Sequence, residues 1–389
     1  MKEETKIINH FWTAEAHGSN IPTTVNPPVY RGSTVLFDNY EDMCLAGKGQ
    51  YEGPTYGTDR FPVQRCLEEA LRELENGSVT RVFPSGIAAI QHTFYAFTKS
   101  GDHILVVDNA YGPGVRFCKK ILSRFNIETT LIPPSVGEDI ERYIRPNTVM
   151  ILLESPGSNT FEIQDIPAIT AIAQAKNIIT AMDNTWATPL YLKPFELGVD
   201  ISIQAVSKYI SGYSDVLIGA VTANKKYGRL LSGYCSVAEL YTPDSDCYLA
   251  LRGLKTFPTR LKQHEKSALQ IAARLGEYEK IDTVIHPALP NHPEHHLWKR
   301  DFQGSSGLFA FTFKKDYSIE ELARFINKLD LFGLGYSWGG YKSLLTAARQ
   351  RRDTPSIYAG KTIIRLNIGL EDPEDLILDL ERGMEELPF

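Results

Sequence analysis

A chain of 389 residues has the length of two or three domains, and 43% hydrophobic with 23% charged residues is the balance of a globular protein with a sizeable core. Its formal net charge of −6 is mixed along the sequence without a long basic block, which excludes an electrostatic footprint for nucleic acid or for an anionic membrane surface. The N-terminal stretch MKEETKIINHFWTAEAHGSN lacks the pattern of a secretory signal, and no run is apolar enough to span a bilayer, so the expectation is a cytoplasmic protein with neither nucleic-acid nor membrane partners.

In chain order, residues 1–60 have weak periodicity and carry Pro22, Pro27, Pro28, Gly32, Gly47, Gly49, Gly53 and Pro54, which predicts an extended arm needing a surface to lie against. From Phe61 onward Cys66, Leu67, Ala70, Leu71 and Leu74 fall at helical spacing with Asn76-Gly77 as a stop, and FPSGIAAIQHTFYAF predicts a further helix. Between about 100 and 224, HILVVDN, TVMILLESP, IITAMDN, DISIQAVSK and GAVTAN have strand length and branched content, while GPGVRFCKKILSRF and IPAITAIAQAKN have helical periodicity. That alternation predicts an α/β domain over 61–254 with a mainly parallel sheet covered on both faces, whose ligand crevice lies at the carboxyl ends of the strands. Residues 255–389 predict a smaller α+β domain, with helices in RLKQHEKSALQIAARLGEY, SIEELARFINKL and PEDLILDLERGMEEL and a strand in GLFAFTF.

Five cysteines (Cys44, Cys66, Cys118, Cys235 and Cys247), odd in number and without C-x-x-C spacing, argue against a disulfide framework and a zinc site. His286, His292, His295 and His296 share a proline-broken stretch without a completing cysteine or carboxylate, so no metal is expected there either. Arg349, Arg351 and Arg352 read as a solvated basic face.

The chemistry enters with Lys208. In ISIQAVSKYISGYSDVLIG it is one cation in a run that reads as buried, where an unpaired charge costs several kcal/mol. Either it reaches solvent at a strand end, or its amine is a desolvated nucleophile of the kind that condenses with an aldehyde. Pyridoxal 5′-phosphate is the aldehyde to test, and it demands a carboxylate for its ring nitrogen, donors for its phosphate and an aromatic face. Asp183 at the end of an apolar strand suits the first demand, and Ser85-Gly86-Ile87 entering a helix, with Ser207 as a further donor, suits the second. Tyr111 suits the third. Each has a plain alternative as turn cap, ordinary helix start or loop-edge aromatic; their conjunction shifts the balance.

The segments FPSGIAAI, DNAYGP, LLESPGS, DNTWATP, SIQAVSKYISGYSD, LALRGLKT, HPALP, KRDFQGSSGLF, YSWGGYKSL and IRLNIGLEDPEDLILDL, in this order and spacing, resemble the Cys/Met-metabolism family of pyridoxal-phosphate enzymes from about Tyr56 nearly to the last residue. The resemblance implies a fold type I, aminotransferase-like large domain with a mainly parallel seven-stranded sheet, a small C-terminal α+β domain, and a homotetramer with active sites between paired subunits. It implies Lys208 as the Schiff-base lysine, Asp183 on the ring nitrogen, Tyr111 stacked on the ring, and Ser85, Gly86, Ile87 and Ser207 around the phosphate. Tyr56 would reach in from a neighbouring subunit, Arg365 would bind the substrate α-carboxylate, and Tyr111 or Tyr56 would assist as acid or base.

Within the family the chain looks most like the bacterial cystathionine β-lyases. The γ-acting members usually carry an acidic residue where Tyr336 stands and leucine where Trp338 stands, so Tyr336, Ser337 and Trp338 imply β-elimination from an amino-acid thioether. Racemisation of alanine and γ-chemistry are the alternatives. Two departures are visible: the family's Tyr-Gly-Arg is Tyr56-Gly57-Thr58-Asp59-Arg60 here, so that Arg60 or Thr58 takes the arginine's place, and Lys342 stands where glutamate is common.

Overall fold

Aliphatic runs buried on both faces pair as parallel strands, because the crossover helices between them cover the sheet above and below. In the computed structural model, which describes residues 2–9 and 24–388, these runs belong to one seven-stranded sheet. Its strands are β1 (Val79–Phe83), β2 (His103–Val107), β3 (Glu128–Ile132), β4 (Thr148–Glu154), β5 (Ile179–Asp183), β6 (Ile201–Gln204) and β7 (Gly219–Ala223). The spatial order is β1-β7-β6-β5-β4-β2-β3, with β7 antiparallel to both neighbours and the pairs from β6 to β3 parallel. Two strands lay outside the apolar runs. In β1 the polar Arg81 breaks the pattern and is covered by Glu68 at 3.5 Å, while β3 is an edge strand whose only fully buried side chain is Ile132.

The second sheet comprises β8 (Ile281–Ile285), β9 (Leu308–Phe313), β10 (Gly333–Leu334), β11 (Leu344–Arg349) and β12 (Thr362–Asn367) in the order β10-β11-β12-β9-β8. Phe309, Phe311, Leu345, Ile364 and Leu366 share a core with Phe325 and Leu380 from the helices Ile319–Asn327 and Pro373–Met384, both foreseen from periodicity. The sequence pattern put a border at 254/255, but a helix runs unbroken through it from Asp244 to Leu275. Cys247, Ala250, Leu254, Phe257 and Leu261 pack into the large core, and Ala268, Ile271, Ala272 and Leu275 into the small one. The change of core thus falls between Leu261 and Ala268, inside one helix whose ladder lacks a donor only at Pro258.

The expected extended arm contains two helices among its described residues, Glu3–Asn9 and Tyr40–Gly47. The first is tied down by Ile7, which is buried, and by Glu3 and Glu4 pairing with Lys193 (2.7 Å) and Lys262 (2.8 Å). The second is capped by Asn39, whose side chain accepts the Asp42 amide, yet none of its residues is buried. Val25, Leu36, Tyr40, Met43 and Tyr56 of the arm are exposed.

Candidate active site

Lys208 lies in a tight turn beyond β6. Its amide donates to the Ala205 carbonyl (3.0 Å), and the Gly212 amide donates to the Lys208 carbonyl (2.8 Å). Buried Arg260 fastens the turn by donating to the carbonyls of Tyr209 (2.8 Å) and Ile210 (3.1 Å). Gly212, at φ +79°, is what admits the guanidinium, since a Cβ there would lie 1.8 Å from Arg260 Nη1. The Lys208 amine donates to Ser337 Oγ at 2.6 Å and sits 5.3 Å from the centre of the Trp338 ring. Burial, reinforced by the charge of Arg365 and opposed by that of Asp183, lowers its pKa to about 8.

The carboxylate facing this amine comes from the next strand. Asp183 closes β5, and its Oδ1 receives both the amide and the hydroxyl of Thr185, whose Oγ1 in turn accepts the Ala205 amide (2.8 Å). A chain of hydrogen bonds therefore links the end of β5 to the lysine turn. The register of β4 on β5 puts Glu154 directly beside Asp183. Glu154 is a residue that pattern reading passed over, although it ends an apolar strand as Asp183 does. It accepts the Tyr111 amide (2.5 Å) and the Ser158 hydroxyl (2.6 Å). Burial pushes both carboxyls up, and Asp183 pushes Glu154 further. Thr185 and the Lys208 charge hold Asp183 towards its ionised form.

Tyr111 precedes the helix Gly112–Lys120 with its ring half open to solvent. Burial, Asp183 and Glu154 raise its phenol above the usual range, outweighing Arg116 and Arg365. In the free chain the phenol therefore keeps its proton at neutral pH, the form of an acid rather than a base.

The helix Gly86–Phe97 is N-capped by Ser85, whose hydroxyl accepts the Ala88 amide (3.1 Å) and whose carbonyl accepts the Ala89 amide (3.0 Å). The amides of Gly86 and Ile87 in the first turn remain for an anion. A Cβ on Gly86 would come within 2.7 Å of Ala205 Cβ, so the helix start lies flush on the segment leading into Lys208. Ser207 is committed elsewhere: its hydroxyl accepts the Ile218 amide (2.8 Å) and donates to the Ile218 carbonyl (3.0 Å). Arg60 is also engaged, pairing with Glu68 at 3.0 Å. Tyr56 and Thr58 line a separate cavity of about 480 Å³ with Tyr30, Arg31, Tyr241 and Asp244, so the single chain does not bring Tyr56 to Lys208.

Arg365 on β12 completes the group, donating to Asn159 Oδ1 (3.2 Å) and towards the Ser337 carbonyl (3.5 Å). The loop above Lys208 is bent by Ser337 at φ +89° and Gly339 at φ +82°. A Cβ on Gly339 would meet the Tyr209 amide nitrogen at 2.8 Å, which shows how closely the loop lies on the lysine turn. Trp338 packs on Tyr209 with ring centres 5.4 Å apart. Tyr336, on the other side of the bend at Ser337, is 91% exposed in the single chain. The Lys342 amine donates to the Leu331 carbonyl (2.8 Å).

Outside this group, the basic triplet is not one solvated face. Arg349 pairs with Asp316 at the surface (2.9 Å), whereas the Arg352 side chain is only 5% exposed. The rings of His286 and His292 accept their own loop's amides, from Ala288 (3.1 Å) and Glu294 (3.3 Å).

A buried amine of lowered pKa, a buried carboxylate opposite it, an adjacent phenol and two first-turn helix amides together fit a phosphorylated pyridine aldehyde. Comparison with known proteins agrees. The family model for Cys/Met metabolism PLP-dependent enzymes matches residues 11–385. Cystathionine beta-lyase MetC of Escherichia coli K12 is 40% identical, over 93% of this chain and 94% of that protein. L-alanine/L-glutamate racemase of Wolbachia pipientis wMel is 38% identical, over 100% and 98%. The crystal structure of metB from Corynebacterium glutamicum superposes with a TM-score of 0.89 at 28% identity, covering 99% of this chain and 98% of that one. With a match of this extent on top of the lysine, carboxylate and phenol described above, the chain belongs to the Cys/Met-metabolism family of enzymes whose cofactor is pyridoxal 5′-phosphate.

Proposed function

We propose that the chain is a carbon–sulfur β-lyase that cleaves L-cystathionine to homocysteine, pyruvate and ammonia. The observation that carries this reading is the Lys208 amine, held at 2.6 Å from Ser337 Oγ beneath the Trp338 ring, with Asp183 and Arg365 both acting on its charge. Lys208 would hold the cofactor covalently, Asp183 would face its ring nitrogen, Tyr111 its ring, and the amides of Gly86 and Ile87 its phosphate. When bound, pyridoxal phosphate supplies an electron sink for the pair left behind at the substrate Cα.

The chain's own residues do the rest. Arg365 binds the α-carboxylate and fixes the rotation of the Cα–H bond. Once released, Lys208 Nζ takes the Cα proton; the burial that lowers its pKa to about 8 in the free chain favours the neutral amine this step needs. The Tyr111 phenol would donate a proton to the departing thiolate. Asp183 offers its negative charge where a positive ring nitrogen would sit, which repays its own burial. Trp338 gives the thioether arm an apolar wall without a carboxylate, which favours β over γ cleavage.

Paired subunits are part of the proposal, because Tyr56 and Thr58 lie in a cavity apart from Lys208 and because the arm leaves large apolar side chains exposed. Racemisation of a small amino acid is a second reading. A lysine base with a protonated phenol near the same carboxylate gives two groups that could deliver a proton to Cα from different directions, and one relative bears a racemase name.

The deciding experiment incubates the loaded enzyme with L-cystathionine and assays pyruvate, α-ketobutyrate and the released thiol together. Pyruvate with homocysteine supports the proposal. α-Ketobutyrate with cysteine replaces it by γ-cleavage, and no keto acid alongside D-alanine formed from L-alanine replaces it by racemisation.

A further inference from the structure

We infer that Arg352, carried by the small domain, is a positioning residue that clasps the two loops bearing Tyr111 and Asn159 and so sets the aromatic face and the carboxylate-binding arginine relative to each other. The inference rests on the roles proposed above for Tyr111 and Arg365.

Arg352 follows β11 and turns inward. One side of its guanidinium donates to the Asp108 carbonyl at 2.6 Å, and the other donates to Glu162 Oε2 at 3.1 Å and to the Thr160 hydroxyl. The residues after it continue the grip: the amides of Asp353 (2.9 Å) and Thr354 (2.8 Å) and the Thr354 hydroxyl (2.9 Å) all donate to Asp108 Oδ2. Ser356 donates to Glu162 Oε1 at 3.1 Å. At Asp108 and Glu162 the large domain therefore supplies acceptors and the small domain donors, while Asp353 in turn accepts from Lys119 of the large domain.

Both clasped segments lead straight to the candidate site. Asp108 ends the run from β2 and lies three residues before Tyr111, whose amide is fixed on Glu154. Glu162 lies three residues after Asn159, which accepts from Arg365. The segments are also stitched to each other, since the Ser158 amide donates to the Asn109 carbonyl (2.7 Å) and Asn109 Nδ2 reaches the Glu162 carbonyl and carboxylate (3.3 Å each). Asn159 and Phe161 both hold positive φ, +66° and +53°. Non-glycine residues keep such backbone only where their surroundings over-determine it.

A buried ion pair is weak evidence for stability, because desolvation offsets much of the attraction. What a guanidinium adds is a rigid planar fork that reaches acceptors in two directions at once, which a lysine cannot reproduce. Lys208 and Asp183 hang on the ends of β6 and β5 and make no hydrogen bond to the clasp, whereas Glu154 meets the clasped loops through the Tyr111 amide and the Ser158 hydroxyl. Its loss should therefore disturb substrate binding and ring contact while sparing removal of the Cα proton by Lys208.

The test uses the loaded enzyme with Arg352→Met and, as a milder change, Glu162→Gln, on whichever of L-cystathionine and L-alanine the wild type turns over. The expected result for Arg352→Met is a roughly tenfold rise in KM with kcat within about threefold, together with a changed visible circular dichroism of the bound cofactor. Glu162→Gln should move both in the same direction by less, and it decides the matter alone should Arg352→Met fail to fold. Arg352→Ala should raise KM as Arg352→Met does, and millimolar guanidinium, which fits the space the shorter side chain leaves, should lower it again. Wild-type KM and dichroism with only a lowered melting temperature overturn the inference. Activity surviving in Lys208→Ala would instead remove the site reading, so the two failures are distinguishable.

Discussion

The strand-end half of the site and its loop-borne half are built in opposite ways. Asp183, Glu154 and the turn holding Lys208 project from neighbouring parallel strands, where the ladder fixes their spacing and burial fixes their pKa directions. Asn159, Ser337 and Gly339 sit on loops with positive φ, kept in place by contacts across the two domains, from Arg365 to Asn159, from Lys208 to Ser337 and from Gly339 to the Tyr209 backbone. The difference teaches where each demand is met: proton and electron chemistry at the carboxyl ends of the central strands, substrate recognition on strained segments that a few contacts can release.

The sharpest way to break the strand-end half is Lys208→Ala, which should lower turnover by ~10³-fold or more and abolish the visible band of lysine-bound cofactor, read by absorbance. Asp183→Asn should cost about 10²-fold in kcat while leaving the thermal stability of the cofactor-free enzyme unchanged or raised, because there a buried carboxyl with a raised pKa gives way to a neutral amide. On the loop side, Gly339→Ala forces a left-handed backbone and a 2.8 Å contact with the Tyr209 nitrogen. It should destabilise the fold by about 2 kcal/mol in denaturant titration.

The smallest effect tests the joint between the halves. The unliganded enzyme should capture pyridoxal phosphate faster as pH rises through about 8, because only the neutral Lys208 amine attacks an aldehyde. In Ser337→Ala that midpoint should fall by a few tenths of a unit, since the lost Oγ acceptor favoured the charged amine. An unchanged midpoint would mean that Ser337 holds the lysine in place without tuning it.

The strand-end half was largely legible in the sequence, because one lysine and one aspartate interrupt or close apolar runs and burial makes such charges conspicuous. β1 and β3 were not, since Arg81 and the threonines of ETTLI hide strands whose covering comes from distant residues. Arg365, Ser337 and Trp338 entered only through resemblance: nothing local in YSWGGYKSL says that it folds onto a turn 129 residues earlier. Arg352 was misread for the same reason. Its acceptors at Asp108 and Glu162 lie 244 and 190 residues away, and a run of basic residues does not reveal which one turns inward. Ser207 and Arg60 have the right residue types for a phosphate, but within the chain their polar groups are taken by Ile218 and Glu68.

The 32-residue helix Asp244–Leu275 has a consequence for unfolding. At a rise of about 1.5 Å per residue it is a rod of roughly 48 Å whose two ends are solvated by different cores. Melting either core strips one half of the rod and leaves the other half with an unpacked, fraying end, so neither sheet can be lost without weakening the other. Heat should therefore unfold both in a single calorimetric transition.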